Sequence, residues 1–295
     1  MTKHKPSKSR IVFNVFNYAI LGISSLIAIL LFVHIVALSF SDNTAIVSNQ
    51  VRFLPVGFNV EAYKMLFQDT RFWRAFGISV RRVIIGVSIN MTMIVLIAYP
   101  LSKYTHQFRM RNIYMWFFFI TALFSGGIIP MFVLLNDMSL LNTVWALVLP
   151  TAVPVFNVIL VLNFFRQLPQ EIFEAAEMDG ANEFQKLFRV ALPISKPVLA
   201  TVLLFSIVGH WNSWFDGILF STTIDAYPLQ SYLQTIVIRQ DFASAGITDP
   251  DSIAQLSNIS MKTAQIIIGM VPVLMIYPLL QRYFMTGIVL GSVKE

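Results

Sequence analysis

The sequence Glu174-Ala175-Ala176-Glu177-Met178-Asp179-Gly180-Ala181 lies in a charged segment, residues 166–196, between two long apolar stretches of the chain. Pro169 precedes it, and proline followed by acidic residues is typical of a helix start. The Asp-Gly pair at 179–180 predicts a turn, so the helix should stop there. A second short helix is expected through Phe184, Leu187 and Phe188. The segment is therefore predicted to be a helical elbow.

An apolar row runs along this elbow at helical spacing: Phe173, Ala176, Gly180, Phe184 and Leu187. An amphipathic helix on a membrane surface usually has a basic polar face. This segment instead carries the acids Glu171, Glu174, Glu177, Asp179 and Glu183. Anionic lipid would repel these carboxylates, so a protein partner is favoured, and the small residues would let it dock closely.

The composition excludes an ordinary soluble domain. Of 295 residues, 56% are hydrophobic and 12% are charged, and the mean hydropathy is +0.70. Soluble domains carry about 25% charged residues, so the solvent here is predicted to be lipid. The net charge is +6, and the charged residues lie between apolar spans. The orientation of the chain in a membrane explains this placement better than nucleic-acid binding does. Cysteine is absent, which excludes disulfides, thiolate metal sites and a cysteine nucleophile.

Six stretches approach the roughly 20 apolar residues that a spanning helix needs. They predict an all-α membrane protein with six transmembrane helices. The first exceeds the 7–15 apolar residues of a signal peptide, so it is interpreted as a retained anchor. The stretches are Ile11–Phe40, Val83–Leu101, Ile113–Leu135, Thr143–Phe165, Val198–Phe220 and Thr263–Leu280.

The distribution of Lys and Arg predicts the orientation of the chain. Basic residues concentrate before the first span and in the loops after the second and fourth, so both termini are predicted to be cytoplasmic. The loop 41–71 is an exception because it is also basic, and we expect it to fold on the outer face. Arg81 and Arg82 begin the second span. They either reach outward to lipid headgroups, which is favoured, or attract an anionic glycan.

The fifth span contains the candidate substrate pathway. Asn212 and Asp216 are four residues apart and would share one helix face, with Trp211 and Phe215 on the adjacent face. Ionisable groups within a span usually face protein or water, and sugars bind hydrogen-bonding groups beside aromatic rings. The alternative is that Asp216 caps or braces a neighbouring helix. His34 and His210 are interpreted as packed helix residues, because two isolated histidines make no metal site.

The elbow resembles the signature loop of ABC importer permeases. That signature is E-A-A, three residues, G, nine residues, an aliphatic residue, one residue and L-P, and Val190 takes the aliphatic position. In this family the elbow is a coupling helix that inserts into a cleft of a cytoplasmic ATPase subunit. The resemblance implies that the ATPase contact includes Glu174, Ala175, Ala176, Asp179, Gly180, Ala181, Leu192 and Pro193.

The resemblance covers about residues 72–281 and is similar to the carbohydrate branch. It rests on Ala98–Ser102, Trp145–Pro150, Trp211–Asp216 and the tail Tyr283–Lys294. Similar sequences are second permease subunits of maltose-type importers and of a Gram-positive group assigned to complex oligosaccharides. The implied partners are a second permease in a heterodimer, two cytoplasmic ATPase subunits, an extracellular solute-binding protein and a carbohydrate, in a bacterial cell membrane.

The chain has no G-x-x-x-x-G-K-[ST] pattern, and none of its 13 glycines is followed by Lys. ATP and magnesium are therefore expected on the partner ATPases, and this chain is expected to hold no cofactor, metal or catalytic residue. The predicted organisation is a cytoplasmic tail (1–10), the first transmembrane helix (11–40), an external loop (41–71), the permease core (72–281, with the coupling loop 166–197) and a cytoplasmic tail (282–295).

Three alternatives remain open at this point. They are a permease for a non-sugar solute, an ATP-independent channel or carrier, and a membrane-embedded enzyme. The channel leaves the elbow without a partner. The enzyme needs convergent ionisable groups, and outside the first span only Asp216 and His210 lie within spans.

Overall fold

The computed structural model describes residues 8–235 and 259–291, with side chains described for 9–235 and 259–281. Over this part of the chain the structure is helical and contains no strand, which confirms the all-α class. Residues 1–7 and 292–295, which belong to the two predicted tails, lie outside it.

Fourteen helices are labelled here in chain order, and residues 229–235 are also helical. The labelled helices are α1 (Lys8–Ser39), α2 (Asn43–Val47), α3 (Glu61–Gln68), α4 (Thr70–Ser102), α5 (Arg111–Leu123), α6 (Ile128–Asp137), α7 (Val144–Val148), α8 (Val155–Arg166), α9 (Gln170–Met178), α10 (Glu183–Gln185), α11 (Leu192–Ile194), α12 (Lys196–Asn212), α13 (Phe215–Phe220) and α14 (Ile259–Gly291).

Three of these helices, α1, α4 and α14, are each long and apolar enough to cross a bilayer. Three bent helix pairs raise the number of candidate spans to as many as six, the predicted number, if each pair is counted as one span. Helix α4 has 33 residues, so at about 1.5 Å per residue it is about 50 Å long and exceeds the hydrocarbon thickness of about 30 Å. Its end therefore reaches beyond the apolar layer.

The predicted third span is not one continuous helix. Helices α5 and α6 meet at an angle of 108°. Gly127 at the break has a φ of +89°, a backbone conformation that L side chains rarely adopt. The fourth span is also broken, by 47° between α7 with its following 3₁₀ turn and α8. Pro150 lies in that turn and Pro154 precedes α8.

The described residues divide into two compact units. The first contains residues 8–69 and 259–268, and its core includes Ala37, Ile46 and Val51. Within it the loop 41–71 is folded, as predicted, since it holds α2 and α3. Phe40 stacks on Phe58 and on Tyr63, with ring centroids 5.6 and 4.8 Å apart.

The second unit contains residues 70–235 and 269–291, and its core lies among α4, α8 and α12. Buried residues there include Ile94, Ala98, Val161, Phe165 and Val202. Lipid is as apolar as these side chains, so the hydrophobic effect does not drive such helices together. Close packing and interhelical hydrogen bonds stabilise their association instead. This unit positions the elbow and the polar interior described next.

Candidate functional site

The first arm of the elbow, α9, ends in two backbone hydrogen bonds that reverse the chain. Ala181 N–H donates to the Ala176 carbonyl at 2.9 Å, and Gly180 N–H donates to the Glu177 carbonyl at 2.9 Å. Gly180 has a φ of +77°. This is a Schellman motif, which requires a left-handed residue where Gly180 stands. The predicted helix stop at Asp179-Gly180 is confirmed.

The second arm starts directly after this turn. The Asn182 side chain accepts from Gln185 N–H, and the Gln185 side chain accepts from Asn182 N–H, both at 2.9 Å. This reciprocal pair is a capping box, which satisfies two backbone donors at a helix start. The arm continues through a π-helical turn, Lys186–Ala191, and meets α12 at an angle of 83°.

A buried lysine joins the two arms. Lys186 is 5% exposed, and its Nζ donates to Glu177 on the first arm at 2.8 Å and to Glu183 on the second at 3.0 Å. Glu183 also accepts from Lys103 and from the Tyr99 hydroxyl, both at 2.9 Å. Since Tyr99 is near the end of α4 and Lys103 follows it, the network ties the elbow to that helix.

The network shifts the titration of its members. Partial burial favours the neutral form of Glu183, but the hydrogen bonds from Lys103, Lys186 and Tyr99 outweigh it and lower the pKa of Glu183 to about 2. The hydrogen bond to Glu177 raises the pKa of Lys186 against the opposing effect of burial. Both shifts favour the charged forms of Glu183 and Lys186 near neutral pH.

The predicted apolar row is divided between two surfaces. Leu187 is 3% exposed in the core and does not face a partner, whereas Phe173 is half-buried and packs against the same core. Phe184 is exposed, and so are three apolar residues outside the predicted row, Ile172, Met178 and Phe188. The exposed apolar surface of the elbow, Ile172, Met178, Phe184 and Phe188, is called the elbow tip below.

The residues predicted to contact the ATPase are mostly accessible. Glu174, Ala175, Asp179, Gly180 and Pro193 are exposed, while Ala176, Ala181 and Leu192 are half-buried. A Cβ added at Gly180 would meet no atom within 4 Å. Glycine is thus required at position 180 because of the positive φ, and not because other atoms of this chain leave no room for a side chain.

The polar interior is centred on an ion pair that sequence reasoning did not foresee. Arg82 on α4 is 1% exposed, and its guanidinium donates to both carboxylate oxygens of Asp216 on α13. It also donates to the carbonyls of Ser213 and Leu147 at 3.3 and 3.4 Å. Arg82 therefore does not extend to headgroups, and the favoured interpretation was wrong for this residue. Arg81 is exposed.

A second buried polar contact lies further along α4. His210 Nε2 lies 2.9 Å from Asn90 Oδ1, and Asn90 Nδ2 donates to the carbonyls of Thr151 and Ala152 at 2.8 and 3.0 Å. His210 is 5% exposed, which confirms that it is a packed helix residue. Asn90 thus holds α12 and the break in the fourth span against α4.

These groups line a polar cavity of about 200 Å³. Its lining includes Asn157, Ser206 and His210 together with Arg82. Two buried polar atoms there, Arg82 Nε and Ser206 Oγ, have no hydrogen-bond partner. Buried polar groups are normally satisfied, so the cavity has unused hydrogen-bonding capacity.

The candidate pathway residues do not share one helix face as predicted. Helix α12 ends at Asn212 and α13 begins at Phe215, so the spacing of four residues crosses a helix break. Trp211 is buried and its Nε1 donates to the Gly269 carbonyl at 3.0 Å. Asp216 braces Arg82, which is the alternative stated above. Asn212 and Phe215 remain exposed.

The missed residues left weak signals in the sequence. A lone Arg at the start of one span and a lone Asp in another predict each other as partners, because unpaired ions within a bilayer are costly. Asn90 stands alone in an apolar span, and such polar residues tend to bond across helices. Lys186 gave no signal, since a loop lysine is ordinarily solvated.

Comparison with known proteins now defines the class of this chain. Residues 1–289 match the family described as the binding-protein-dependent transport system inner membrane component. The chain belongs to this family, which confirms the resemblance found in the elbow. It is accordingly a multi-pass component of the cytoplasmic membrane.

The similarity to individual relatives extends over nearly the whole chain. Protein LplC of Bacillus subtilis is 37% identical over 99% of this chain and 98% of its own. The polygalacturonan/rhamnogalacturonan transport system permease protein YtcP of Bacillus subtilis is 34% identical over 96% and 98%. A crystal structure of a bacterial ABC transporter involved in the import of the acidic polysaccharide alginate matches with a TM-score of 0.83, at 30% identity, over 96% of this chain and 100% of that chain.

Proposed function

We propose that this chain is one of two permease subunits of an ATP-driven importer and that its substrate is an oligosaccharide. The names of similar proteins support a glycan: polygalacturonan/rhamnogalacturonan for YtcP, diacetylchitobiose for a Streptomyces coelicolor permease 28% identical, and alginate for the solved transporter. Two of these three glycans are acidic, so fragments of acidic polysaccharides are the first substrates to test.

The observation that carries the coupling role is the elbow tip, an apolar surface presented on a rigid scaffold. Met178 is 89% exposed and Phe184 69% exposed. Both arms behind them are fixed by the Schellman turn, the capping box and the Lys186 network. An exposed apolar patch on such a support is typical of a protein interface, and the signature motif around it indicates an ATPase cleft.

The elbow is attached so that movement at the tip reaches the spans. Its second arm continues into α12 through the 83° bend, and its network bonds to α4 through Tyr99 and Lys103. When partner ATPases bind nucleotide and close, the elbow would move with them and bias two packings of the same helices. The energy then comes from the partners, as the absence of a phosphate-binding loop requires.

The pathway is proposed to lie along the polar interior rather than on the predicted face. Its cavity offers hydrogen-bonding groups with spare capacity, Ser206 among them, beside Phe205. Asn212 and Phe215, which remain exposed near the helix break, would extend it. Trp211 and Asp216 would shape this route without touching the sugar, because one is buried and the other holds Arg82.

A cross-linking experiment tests the coupling role, since the chain has no native cysteine. Met178→Cys places a single thiol on the elbow tip. Met138→Cys, at a residue that is 56% exposed just after α6, is the matched control. In the assembled transporter we expect a bifunctional thiol reagent to join Met178→Cys, and not Met138→Cys, to an ATPase subunit. No cross-link at 178 in an assembly that hydrolyses ATP would refute the coupling role.

Reconstitution separates the remaining alternatives. In proteoliposomes, a binding protein loaded with an acidic oligosaccharide should stimulate ATP hydrolysis. Copurification of the ATPases without stimulation by any glycan would indicate a permease for another solute. Uptake in their absence would indicate a channel or carrier, and turnover of a solute without movement would indicate an enzyme.

A further inference from the structure

A second cavity of about 330 Å³ opens on the side of the bundle, apart from the polar interior and the elbow tip. It lies between α5 and α8, next to Leu101 at the end of α4. Its volume is within the range of about 300–1,000 Å³ found for ligand sites. Apolar side chains form most of its wall, among them Trp116, Phe119, Ile159 and Leu162.

One end of this groove is basic. Arg166, the last residue of α8, lines it, and the Arg166 side chain donates to the Leu101 carbonyl at 3.3 Å. Arg111 donates to the Lys103 carbonyl at 3.0 Å, so the two guanidinium groups bind neighbouring carbonyls and lie close enough for their charges to interact. Helix α5 begins at Arg111, and the positive end of its dipole adds to this charge.

No acidic side chain compensates these two charges within 8–235 and 259–281. Neither Arg111 nor Arg166 forms an ion pair in that part of the chain, and residues 101–112 contain no Asp or Glu. Lys103 is already paired with Glu183. Arg111 Nε is buried without a hydrogen-bond partner. The two positive charges are therefore not neutralised by a carboxylate of this part of the chain.

We propose that this groove binds an anionic phospholipid, with an acyl chain along Trp116, Ile159 and Leu162 and the phosphodiester at Arg166, where the nearby Arg111 adds a second positive charge. The combination of an apolar wall and a basic end matches a molecule with an apolar tail and an anionic head. Basic pockets between transmembrane helices are known to take such headgroups. The charge complementarity favours a lipid over an apolar protein helix.

The basic end of the groove lies at the elbow end of the bundle, because Arg166 is the last residue of α8 and the first arm of the elbow, α9, follows it. The lipid would therefore come from the leaflet on the elbow side. Assignment of that leaflet as cytoplasmic rests on the proposed function, whereas the lipid site itself does not.

Native mass spectrometry of the assembled transporter tests the site. Delipidated complex is incubated with phosphatidylglycerol or with phosphatidylcholine, and retained lipid is counted. We expect Arg111→Gln/Arg166→Gln to retain about thirtyfold less phosphatidylglycerol, as for loss of two basic residues beside an anionic lipid. Arg111→Lys/Arg166→Lys should retain it. Arg109→Gln, which removes an exposed charge from the same loop, is the matched control and should also retain it.

A second variant tests the apolar wall while leaving both arginines in place. Ile159→Trp should fill the groove and reduce phosphatidylglycerol retention. This variant tests the lipid site even where the double Gln variant fails to assemble. Inorganic phosphate should not displace the lipid from the native complex. Displacement by phosphate alone would overturn the proposal in favour of a free-phosphate site.

Two further results would overturn it. One is equal phosphatidylglycerol retention by the double Gln variant and by Arg109→Gln. The other is a photo-crosslinker at position 159 that captures another subunit of the transporter instead of lipid. Stimulation of ATP hydrolysis by glycan is measured in parallel, so failure of the lipid site remains distinguishable from failure of the transport function.

Discussion

Arg82 and Asp216 form an ion pair between two helices of the bundle, with the Arg82 side chain 1% exposed and that of Asp216 21% exposed. The Arg82 Nη1 to Asp216 Oδ1 distance is 3.1 Å. Ser213 also donates to this carboxylate, at 2.8 Å. One pair therefore fixes α13, and the break before it, against α4.

Removing one partner of this pair should be much worse than removing both. Asp216→Ala leaves a buried guanidinium without its counter-ion, and we expect a loss of about 3–5 kcal/mol of stability. Arg82→Met/Asp216→Leu removes both charges and should recover much of that loss. Thermal unfolding of the detergent-purified assembly gives the comparison. Equal destabilisation by the single and double variants would contradict the buried-pair interpretation.

Gly180 allows the turn and the docking surface to be separated. Asp and Asn tolerate a positive φ better than branched residues, and a side chain here meets nothing within the chain. Gly180→Asp should thus keep the elbow folded yet abolish uptake and ATPase association, because its side chain projects from the docking surface. Gly180→Val should strain the turn itself by roughly 1–2 kcal/mol.

Copurification with the ATPase, together with limited proteolysis of the elbow, measures both effects. Normal ATPase association by a folded Gly180→Asp variant would show that position 180 is outside the interface.

Lys186 is expected to hold the two arms of the elbow together. Lys186→Met removes the cation that joins Glu177 to Glu183 and leaves Glu183 paired with Lys103 alone, so the arms should loosen and glycan-stimulated ATP hydrolysis should fall severalfold. Lys196→Met, at an exposed lysine in the same segment, is the matched control and should retain activity. Equal rates for the two variants in proteoliposomes would argue against the network.

The depressed pKa of Glu183 predicts a pH dependence. Its folded pKa is about 2, below the ordinary 4.5. Its contribution to stability is fully present above pH 4.5 and is lost as pH falls towards 2. The difference in melting temperature between the native chain and Glu183→Gln should be constant above pH 5 and shrink below about 4.5. A difference that does not change with pH would show that the carboxylate charge is not stabilising.

Gly86 and Gly209 form a matched pair of helix glycines. A Cβ at Gly86 would lie 2.5 Å from His210 Nε2, whereas one at Gly209 meets nothing within 4 Å. Gly86→Ala should therefore displace His210 from Asn90 and cost about 1–3 kcal/mol. Gly209→Ala should be neutral or gain up to about 1 kcal/mol from helix propensity. Thermal unfolding measures the two variants. Similar melting temperatures for Gly86→Ala and Gly209→Ala would contradict the close approach of His210 to Gly86.

The sequence predicted the elements whose causes are local. The stop at Asp179-Gly180 and the short helix after it depend on residues within a few positions of each other. The six apolar stretches follow from composition over about 20 residues. Such features need no knowledge of which helices become neighbours.

Features that depend on helix neighbours were missed or misassigned. Arg82 was expected near headgroups because its partner lies 134 positions further along the chain. Leu187 was assigned to a partner surface, yet the core of this chain covers it, and Phe173 is half-buried against the same core. The break between Asn212 and Phe215 also escaped, since no proline or glycine lies between them. In each case, tertiary contacts decided between alternatives that periodicity alone could not distinguish.

The hydrogen bonds of the Schellman turn and of the capping box all lie within residues 175–185. These eleven consecutive residues therefore determine the shape of the elbow corner. Transplanting this block into another permease of the family should therefore reproduce the same corner without changes in the membrane-spanning helices.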